Sequence, residues 1–320
     1  MEKEKTKILV CGATGFIGRN MAEFFASQSD TEVFGVYHHQ KPYDVSGITF
    51  VRADLRNQEE TERVVQGMDV IIQAAATTSG AHDVIHNPHR FVADNVIMNT
   101  QLFRAAFEAK VKHVIFFSCS VMYQPSDTPL KETDFDANKE MVKNYFGGGW
   151  MKVYSEKMCE FYSRVSTTKF TVIRHSNIYG PHDNYDLQTS HVFGATLAKV
   201  MQAEYKVTVW GDGSEERDLL YVGDLADFVD LALKKQETPF GLFNAGLGKS
   251  IAIRDLVAKV IKYSGKKLDI VYDTTKPTIK TKLCLDSTKA MEIFGWTPET
   301  SLDEGIKKTI AWYRKNVMEK

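Results

Sequence analysis

Short apolar runs alternate with longer amphipathic stretches through the first half of the chain. The runs have the length of strands buried on both faces, and the stretches between them have helical spacing. The predicted strands cover residues 7–11, 32–37, 48–51, 70–74, 114–118 and 170–174. The predicted helices cover residues 16–27, 57–66, 91–109 and about 150–165. This alternation predicts an α/β domain built on a doubly wound parallel sheet.

The pattern becomes more mixed after Gly180 and Pro181. Further predicted helices cover residues 192–202, 222–233, 255–264 and 302–316, and further strands cover residues 207–210 and 241–245. We expect a smaller C-terminal α/β lobe that binds substrate over the carboxyl edge of the sheet. The expected division is residues 1–178 for the first domain, with a returning segment near 222–246, and residues 179–320 mainly for the lobe.

Charge and composition exclude several classes of protein. The 320 residues contain 40 Lys+Arg and 41 Asp+Glu, so no overall basic excess is present to hold nucleic acid or an anionic membrane. No apolar run reaches the roughly 18 residues of a membrane span, and the polar start is unlike a signal peptide. The four cysteines are scattered and form no CxxC pair. We expect a cytoplasmic protein without a nucleic-acid or membrane partner.

A glycine motif, GATGFIG at residues 12–18, lies between the first predicted strand and the first predicted helix. Such spacing allows a tight turn and a close approach of the backbone to a pyrophosphate at the helix N-terminus. The context predicts a Rossmann-type site for a dinucleotide. The residues predicted to contact the coenzyme here are Gly12, Thr14, Gly15, Phe16, Ile17, Gly18 and Arg19.

The end of the second strand bears on the choice of coenzyme. An NAD site usually has Asp or Glu there to bind the ribose 2′-hydroxyl, and residues 36–41 contain no acid. Arg19, His38 and Lys41 offer attraction for a 2′-phosphate, although all three also suit an ordinary solvated surface. The pattern favours NADP, with NAD as the alternative.

Further segments complete a resemblance to a known family. They are ADLR at 53–56, AAA at 74–76, SCSVMY at 118–123 and RHSNIYGP at 174–181. Together with the glycine motif they resemble the extended short-chain dehydrogenase/reductases that modify nucleotide sugars. The segments YGPHDN at 179–184, SHV at 190–192, VWGDG at 209–213 and RDLLYVGD at 217–224 look most like the GDP-L-fucose synthase branch, epimerase/reductases of 4-keto-6-deoxy-hexose nucleotides.

The resemblance implies roles for individual residues. For the coenzyme, Asp54 and Leu55 would flank the adenine. Residues that would line the rest of its path are Ala74, Ala75, Ala76, Lys152 and His175. Residues that would hold a nucleotide-diphosphate sugar, with GDP favoured, are Asn177, His191, Trp210 and Arg217. A planar guanidinium suits bidentate phosphate contact, which gives Arg217 a physical reason for this role.

The catalytic pattern of this family is incomplete in the chain. It consists of a Ser or Thr, a Tyr, and a Lys four residues after the Tyr. Lys152 is the best match for the lysine, and the tyrosine position is then Gly148. The register on Lys157 is no better, because Val153 then occupies the tyrosine position. The remaining candidates for a phenol are Tyr145, on a segment made permissive by three glycines, and Tyr154.

The Ser/Thr position is also altered. Counting back from Tyr123 places Cys119 there, with Ser120 beside it. A thiol is a competent acid/base, with a reference pKa of about 8.5, although Cys119 also suits a buried strand end. With His191, which corresponds to the acid/base histidine of the branch, it could exchange a proton next to a ketone. The predicted catalytic residues are Cys119, Ser120, Lys152 and His191.

These patterns predict an NAD(P)-dependent epimerase/reductase of a 4-keto-6-deoxy-hexose nucleotide. The alternatives are a nucleotide-sugar 4-epimerase, C4 oxidoreductase or dehydratase, an impaired or engineered variant without the tyrosine, or a non-catalytic coenzyme-binding regulator. The helices at 91–109 and from 150 imply a homodimer by analogy. His82, His86 and His89 are spaced like metal ligands, but Pro88 interrupts them, and we expect no metal.

Overall fold

A computed structural model describes residues 4–77, 88–187, 189–276 and 282–319. The strands are β1 (Thr6–Cys11), β2 (Thr31–Tyr37), β3 (Ile48–Arg52), β4 (Val70–Gln73), β5 (His113–Phe117), β6 (Lys169–His175), β7 (Asn177–Tyr179), β8 (Lys206–Trp210), β9 (Glu216–Tyr221), β10 (Phe240–Ala245), β11 (Ser250–Ala252) and β12 (Asp269–Asp273). The α-helices are α1 (Phe16–Ala26), α2 (Gln58–Val65), α3 (Pro88–Glu108), α4 (Phe146–Val165), α5 (Val192–Gln202), α6 (Val222–Lys235), α7 (Ile253–Ser264), α8 (Thr288–Phe294) and α9 (Leu302–Tyr313).

The main sheet has seven parallel strands in the order β10-β6-β5-β4-β1-β2-β3. Apolar residues of α1, α6 and α8 pack on one face of the sheet, and those of α2, α3 and α4 pack on the other. Because both faces are covered, central strands are buried along their whole length, as all five residues of β5 are. The predicted doubly wound α/β fold is confirmed.

The chain returns to the main sheet after leaving it. Strand β10 pairs with β6, with Phe240 beside Phe170, and α6 packs against the same core. The segment around α8 joins this core too, since Phe294 and Trp296 are buried in it. The Trp296 indole donates a hydrogen bond to the Asp224 carbonyl at 2.9 Å. The first domain thus draws on residues well beyond position 178.

The second lobe contains two small sheets, β7-β9-β11 and β8-β12. Helices α5, α7 and α9 pack around them in a third apolar core. Strands β7, β9, β11 and β12 and helix α8 were not predicted from the sequence. The four strands have three to six residues, and none is buried along its whole length, so they lack the strong pattern of the main sheet.

Helix α4 begins at Phe146, four residues before the predicted start, so the three glycines form its first turn and not a loop. Glycine costs roughly 1 kcal/mol in a helix interior, which is why the local sequence favoured a loop. Packing overrides this cost at Gly149, where an added Cβ would lie 2.5 Å from Met141 Sδ and 3.4 Å from Met122 Cα. A side chain at this position would require the buried Met141 side chain to move.

Within the described residues, no helix combines the length and the apolar character that crossing a membrane requires.

Candidate active site

The glycine turn is shaped by close backbone contacts. Gly12 has a φ of +73°, and a Cβ on it would lie 2.7 Å from Ala75 Cα. A Cβ on Gly18 would lie 2.1 Å from the Gly12 carbonyl oxygen, so neither position accepts a side chain. Gly15 caps α1 without a side-chain hydrogen bond, and the first turn of α1 contains no acid. The backbone amides in the first turn of α1 are therefore open to an anionic group, and the glycine turn fits a dinucleotide pyrophosphate.

The other residues predicted from this motif and from the segment after β4 lie around the turn. Thr14, Phe16, Ile17, Ala74 and Ala75 are half-buried, whereas Gly15 and Ala76 are exposed. The Ala75 amide donates to the Gln73 side chain at 3.2 Å, which holds this segment beside Gly12. The structure therefore brings the two predicted coenzyme segments together.

A charged cluster lies where β2 and β3 end. His38 Nε2 is 3.7 Å from a carboxylate oxygen of Asp54, and Arg56 donates to the same carboxylate at 2.8 Å. Arg56 also pairs with Asp94 at 3.0 Å. Hydrogen bonding from Arg56 is the main cause that lowers the pKa of Asp54 to about 2. The neighbouring Leu55 is buried in the sheet core, so its side chain has a packing role.

Arg19, the predicted partner of a 2′-phosphate, already has two neighbours. Its guanidinium donates to Glu23 at 2.8 Å and lies 3.6 Å from the centroid of the Tyr43 ring. These contacts orient the guanidinium on the first turns of α1. Lys41 is exposed. Sequence reasoning missed Arg56 as a further cation in this region.

Lys152 lies at the centre of the carboxyl edge of the sheet. Its Nζ donates to the Phe117 carbonyl at 2.7 Å and lies 4.9 Å from the centroid of the Phe116 ring. Burial lowers the pKa of Lys152, and nearby Cys119 opposes that effect. The hydrogen bond to the end of β5 thus holds in place the side chain of Lys152, the best match for the lysine of the family pattern.

Two histidines lie on other elements near this edge. His175 ends β6, and its Nδ1 lies 2.7 Å from the Ser176 carbonyl oxygen. Burial lowers the pKa of His175 to about 4, and the positive charges of Lys152 and His191 add to this effect. His191 occupies the N-cap position of α5 without capping it and is exposed, although the surrounding protein lowers its pKa. His175 therefore lies within electrostatic reach of both Lys152 and His191.

Cys119 follows β5 and is half-buried beside these groups. Burial raises the pKa of its thiol, while the charge of Lys152 and a hydrogen bond from the Val121 amide oppose the rise. The thiol is therefore a proton donor near neutral pH and not a thiolate. Ser120 is 8% exposed and lies directly after it.

Two tyrosines, at positions 145 and 154, are candidates for the missing phenol, and they differ in their surroundings. Position 148, where the family pattern has tyrosine, is a glycine. Tyr154 is 46% exposed on the outer side of α4. Tyr145 directly precedes α4 and is half-buried. Burial raises the pKa of its phenol, and the charges of Arg217 and Cys119 act on it. Of the two phenols, Tyr145 is the more buried.

A buried polar network lies beneath the site. Arg174 and Glu156 form a two-fold contact at 2.7 and 3.0 Å, and Ser118 donates to the same Glu156 carboxylate at 2.6 Å. Arg174 also donates to the Tyr123 hydroxyl, which donates to Asn244 at 2.8 Å. The network ties β5, α4, β6 and β10 together. Sequence reasoning did not predict it as a network.

Three of the four predicted substrate residues lie on strands of the second lobe. Asn177 donates to the Asp218 carbonyl at 3.2 Å, which joins β7 to β9. Trp210 ends β8 with 48% of its side chain exposed, and Lys199 Nζ lies 5.1 Å from the centroid of its ring. Arg217 is half-buried on β9. An exposed indole and a guanidinium suit a nucleobase and a phosphate, respectively.

Three histidines have the spacing of metal ligands in the sequence, although we expected no metal there, and only one of them belongs to the described residues. His82 and His86 lie outside the described residues, and His89 is exposed on α3. In the rest of the chain that the structure describes, no group of three His, Cys, Asp or Glu side chains is arranged to hold a metal ion.

The doubly wound sheet and the glycine turn together define a dinucleotide-binding α/β protein. The profile of the NAD dependent epimerase/dehydratase family matches residues 8–246. A GDP-L-fucose synthase of Azorhizobium caulinodans is 31% identical, with 96% of each chain covered. A GDP-L-colitose synthase of Yersinia pseudotuberculosis is 29% identical, covering 96% of this chain and 97% of its own length.

Among solved structures, a UDP-glucose 4-epimerase of Thermotoga maritima is 27% identical with a TM-score of 0.87, covering 98% of this chain and 100% of its own. The chain belongs to the NAD dependent epimerase/dehydratase family. It is an NAD(P)-dependent enzyme that modifies nucleotide sugars, as the family resemblance implied. The interpretation as a non-catalytic regulator is therefore set aside.

Proposed function

We propose that the enzyme is an NADP-dependent epimerase/reductase of a GDP-4-keto-6-deoxy-hexose. The observation that carries the proposal is the glycine turn, where Gly12 and Gly18 leave no room for a side chain, at the same sheet edge as Lys152, whose Nζ donates to the Phe117 carbonyl. Similarity to a GDP-L-fucose synthase and a GDP-L-colitose synthase over nearly the whole chain supports the choice of substrate.

NADP is the proposed coenzyme because the end of β2 carries His38 and no acid. The nearest carboxylate of this cluster, Asp54, is neutralised by Arg56, so it opposes a 2′-phosphate less than a free acid would. When bound, the reduced nicotinamide supplies a hydride for the C4 carbonyl. The glycine turn would hold its pyrophosphate, and Lys152 its nicotinamide ribose.

Cys119 and His191 are the proposed acid/base residues for epimerisation next to the ketone. A carbon beside a carbonyl is acidic enough for one group to remove its proton while another delivers one. The raised pKa of Cys119 and the lowered pKa of His191 leave a neutral thiol to donate and a neutral imidazole to accept. GDP binding is proposed for Trp210 and Arg217.

The test uses purified protein with NADPH and GDP-4-keto-6-deoxy-D-mannose in deuterated water. We expect loss of NADPH absorbance and deuterium at the carbons beside C4 in the product. In His191→Asn, deuterium incorporation should fall by on the order of 100-fold or more. Neither NADPH loss nor deuterium in the wild type would contradict the proposal.

A nucleotide-sugar 4-epimerase is the second candidate. The similarity to the UDP-glucose 4-epimerase structure favours it. Incubation with UDP-glucose and NAD, followed by separation of the hexose products, tests it directly. Formation of UDP-galactose, without turnover of the keto sugar, would favour this candidate over the first.

A homodimer is proposed from the outer surface of α3 and α4. Four apolar side chains on this surface are between 37% and 52% exposed: Ile97, Phe107, Phe161 and Val165. Exposed apolar patches commonly mark protein interfaces. Light scattering should give twice the chain mass for the wild type and the single mass for Phe161→Glu.

The proposed location is the cytoplasm, where the four free thiols would stay reduced.

A further inference from the structure

We propose that Ser118, directly after β5, is a positioning residue for Lys152. Through Glu156 it holds the end of β5 in place, and that end of the strand holds the lysine ammonium. The Ser118 side chain is fully buried, so it acts through these neighbours and not by touching a ligand. Its effect on coenzyme binding rests on the proposed function, in which Lys152 binds the nicotinamide ribose.

Two hydrogen bonds join α4 to the end of β5. Lys152 Nζ donates to the Phe117 carbonyl at 2.7 Å, and Ser118 Oγ donates to the Glu156 carboxylate at 2.6 Å. Phe117 and Ser118 are consecutive, and Lys152 and Glu156 lie one turn apart on the same face of α4. The two hydrogen bonds therefore lie side by side between the same two elements, and the second limits the movement of the carbonyl that the first one uses.

Glu156 is itself fixed from the other side. Arg174 of β6 contacts both oxygens of its carboxylate, at 2.7 and 3.0 Å, and the two side chains are only 4% and 5% exposed. Paired contacts between a guanidinium and a carboxylate constrain direction as well as distance. Arg174 also donates to the Tyr123 hydroxyl at 3.0 Å. The carboxylate that accepts from Ser118 therefore has a defined position.

The backbone of Ser118 is held as well. Its amide donates to the Ile173 carbonyl of β6 at 2.8 Å, next to the last pair of the two strands, Phe117 with Ile173. Ser118 thus binds α4 through its side chain and β6 through its backbone. Cys119 follows directly. Ser118 therefore fixes the chain between the carbonyl that binds Lys152 and the thiol proposed as an acid/base.

Lys152 is sensitive to the position of this carbonyl. An ammonium group has three N–H donors, and the Phe117 carbonyl is the one hydrogen-bond acceptor that Lys152 has among the described residues. The remaining two donors are available for ribose hydroxyls, and their directions depend on where the first one is bound. Because the lysine stem is flexible, a displaced carbonyl would displace the ammonium.

The first test uses Ser118→Ala, which removes one hydrogen bond and keeps the pair of Glu156 with Arg174. The control is Ser163→Ala, which removes another buried hydroxyl of α4, bound to the Glu160 carbonyl at 2.7 Å. Lysine labelled with carbon-13 at Cε gives one resonance per lysine, and that of Lys152 is identified by its loss in Lys152→Arg. This resonance should shift in Ser118→Ala and coincide with the wild type in Ser163→Ala. A Lys152 resonance that Ser118→Ala leaves in place would overturn the assignment.

The second test measures the consequence for the coenzyme by fluorescence titration with NADPH, or with NADH if the wild type binds only that. The Kd of Ser118→Ala should rise about tenfold, which corresponds to about 1.4 kcal/mol, and the Kd of Ser163→Ala should equal that of the wild type. A wild-type Kd in Ser118→Ala likewise overturns the assignment. If the wild type binds neither coenzyme, the proposed function fails, and the Lys152 resonance alone decides the positioning role.

Discussion

Two helices begin with glycines at the same edge of the sheet, and their glycines have different causes. In α1, Gly12 and Gly18 are required by backbone atoms, because an added Cβ would lie 2.7 and 2.1 Å from main-chain atoms. In α4, Gly149 packs closely against the Met141 side chain, whereas Gly148 has room for a side chain. Glycine thus shapes the predicted coenzyme-binding turn in α1, and in α4 it replaces the tyrosine of the family pattern.

The comparison of these two helix starts shows which structural features can be predicted from a short sequence motif. The turn before α1 works through local backbone geometry, so a contiguous sequence carries all of it. At the start of α4 the family pattern depends on a single side chain, which is absent at position 148. Four predictions test this difference between the two helix starts, in order of decreasing expected effect.

Glu156→Gln should reduce the free energy of unfolding by about 3–5 kcal/mol, because it leaves buried Arg174 without its counter-charge. Urea denaturation measures the change. The control is Glu160→Gln on the same helix, whose partners Lys157 and Arg164 are largely exposed and which should lose at most about 1 kcal/mol. Equal losses in the two variants would show that α4 does not depend on the buried pair.

Gly18→Ala should weaken NADPH binding on the order of 100-fold, about 2.7 kcal/mol, because the new methyl group displaces the turn that holds the pyrophosphate. Fluorescence titration measures the affinity. Gly148→Ala serves as the matched glycine variant and should bind NADPH like the wild type. Wild-type affinity in Gly18→Ala would remove the backbone explanation for the first helix.

Asp183 belongs to the loop that contacts α1 through the Pro181 carbonyl and Asn20 at 2.9 Å. Burial raises its pKa from 3.8 to about 7, so the folded state binds a proton that the unfolded state releases. Stability from this group is therefore present below about pH 4 and is lost as the pH rises to about 7.

Asp183→Asn should remove this dependence, and its advantage over the wild type should grow by about 1–3 kcal/mol between pH 4 and pH 8. Urea denaturation at both pH values measures it. Asp44→Asn, at an exposed position, should show no such growth. A constant difference between Asp183→Asn and the wild type across this range would contradict the prediction.

Gly148→Ala should raise the free energy of unfolding by about 0.5–1 kcal/mol, because alanine favours the helix and the added methyl group meets only Phe91. Gly149→Ala should instead destabilise the protein, since its methyl group would displace the buried Met141 side chain. Thermal unfolding separates the two variants. Destabilisation by both would mean that position 148 is also closed to side chains.

Much of the fold could be predicted because its causes are local. Buried parallel strands leave continuous apolar runs, and most predicted elements lie within a few residues of those observed. The start of α4 was wrong by four residues because close packing at Gly149 outweighs the poor helix propensity of glycine. The strands β7, β9, β11 and β12 were missed because pairing between distant segments, and not local pattern, creates them.

The doubly wound sheet and the glycine turn follow from the sequence, since each depends on spacing within short segments. The pairing of Glu156 with Arg174 and the hydrogen bond from Lys152 to the Phe117 carbonyl depend on the tertiary structure. These groups lie on different elements, and no local pattern records how far apart folding will place them. Burial then sets their charge states, because the cost of removing a charge from water depends on everything packed around it.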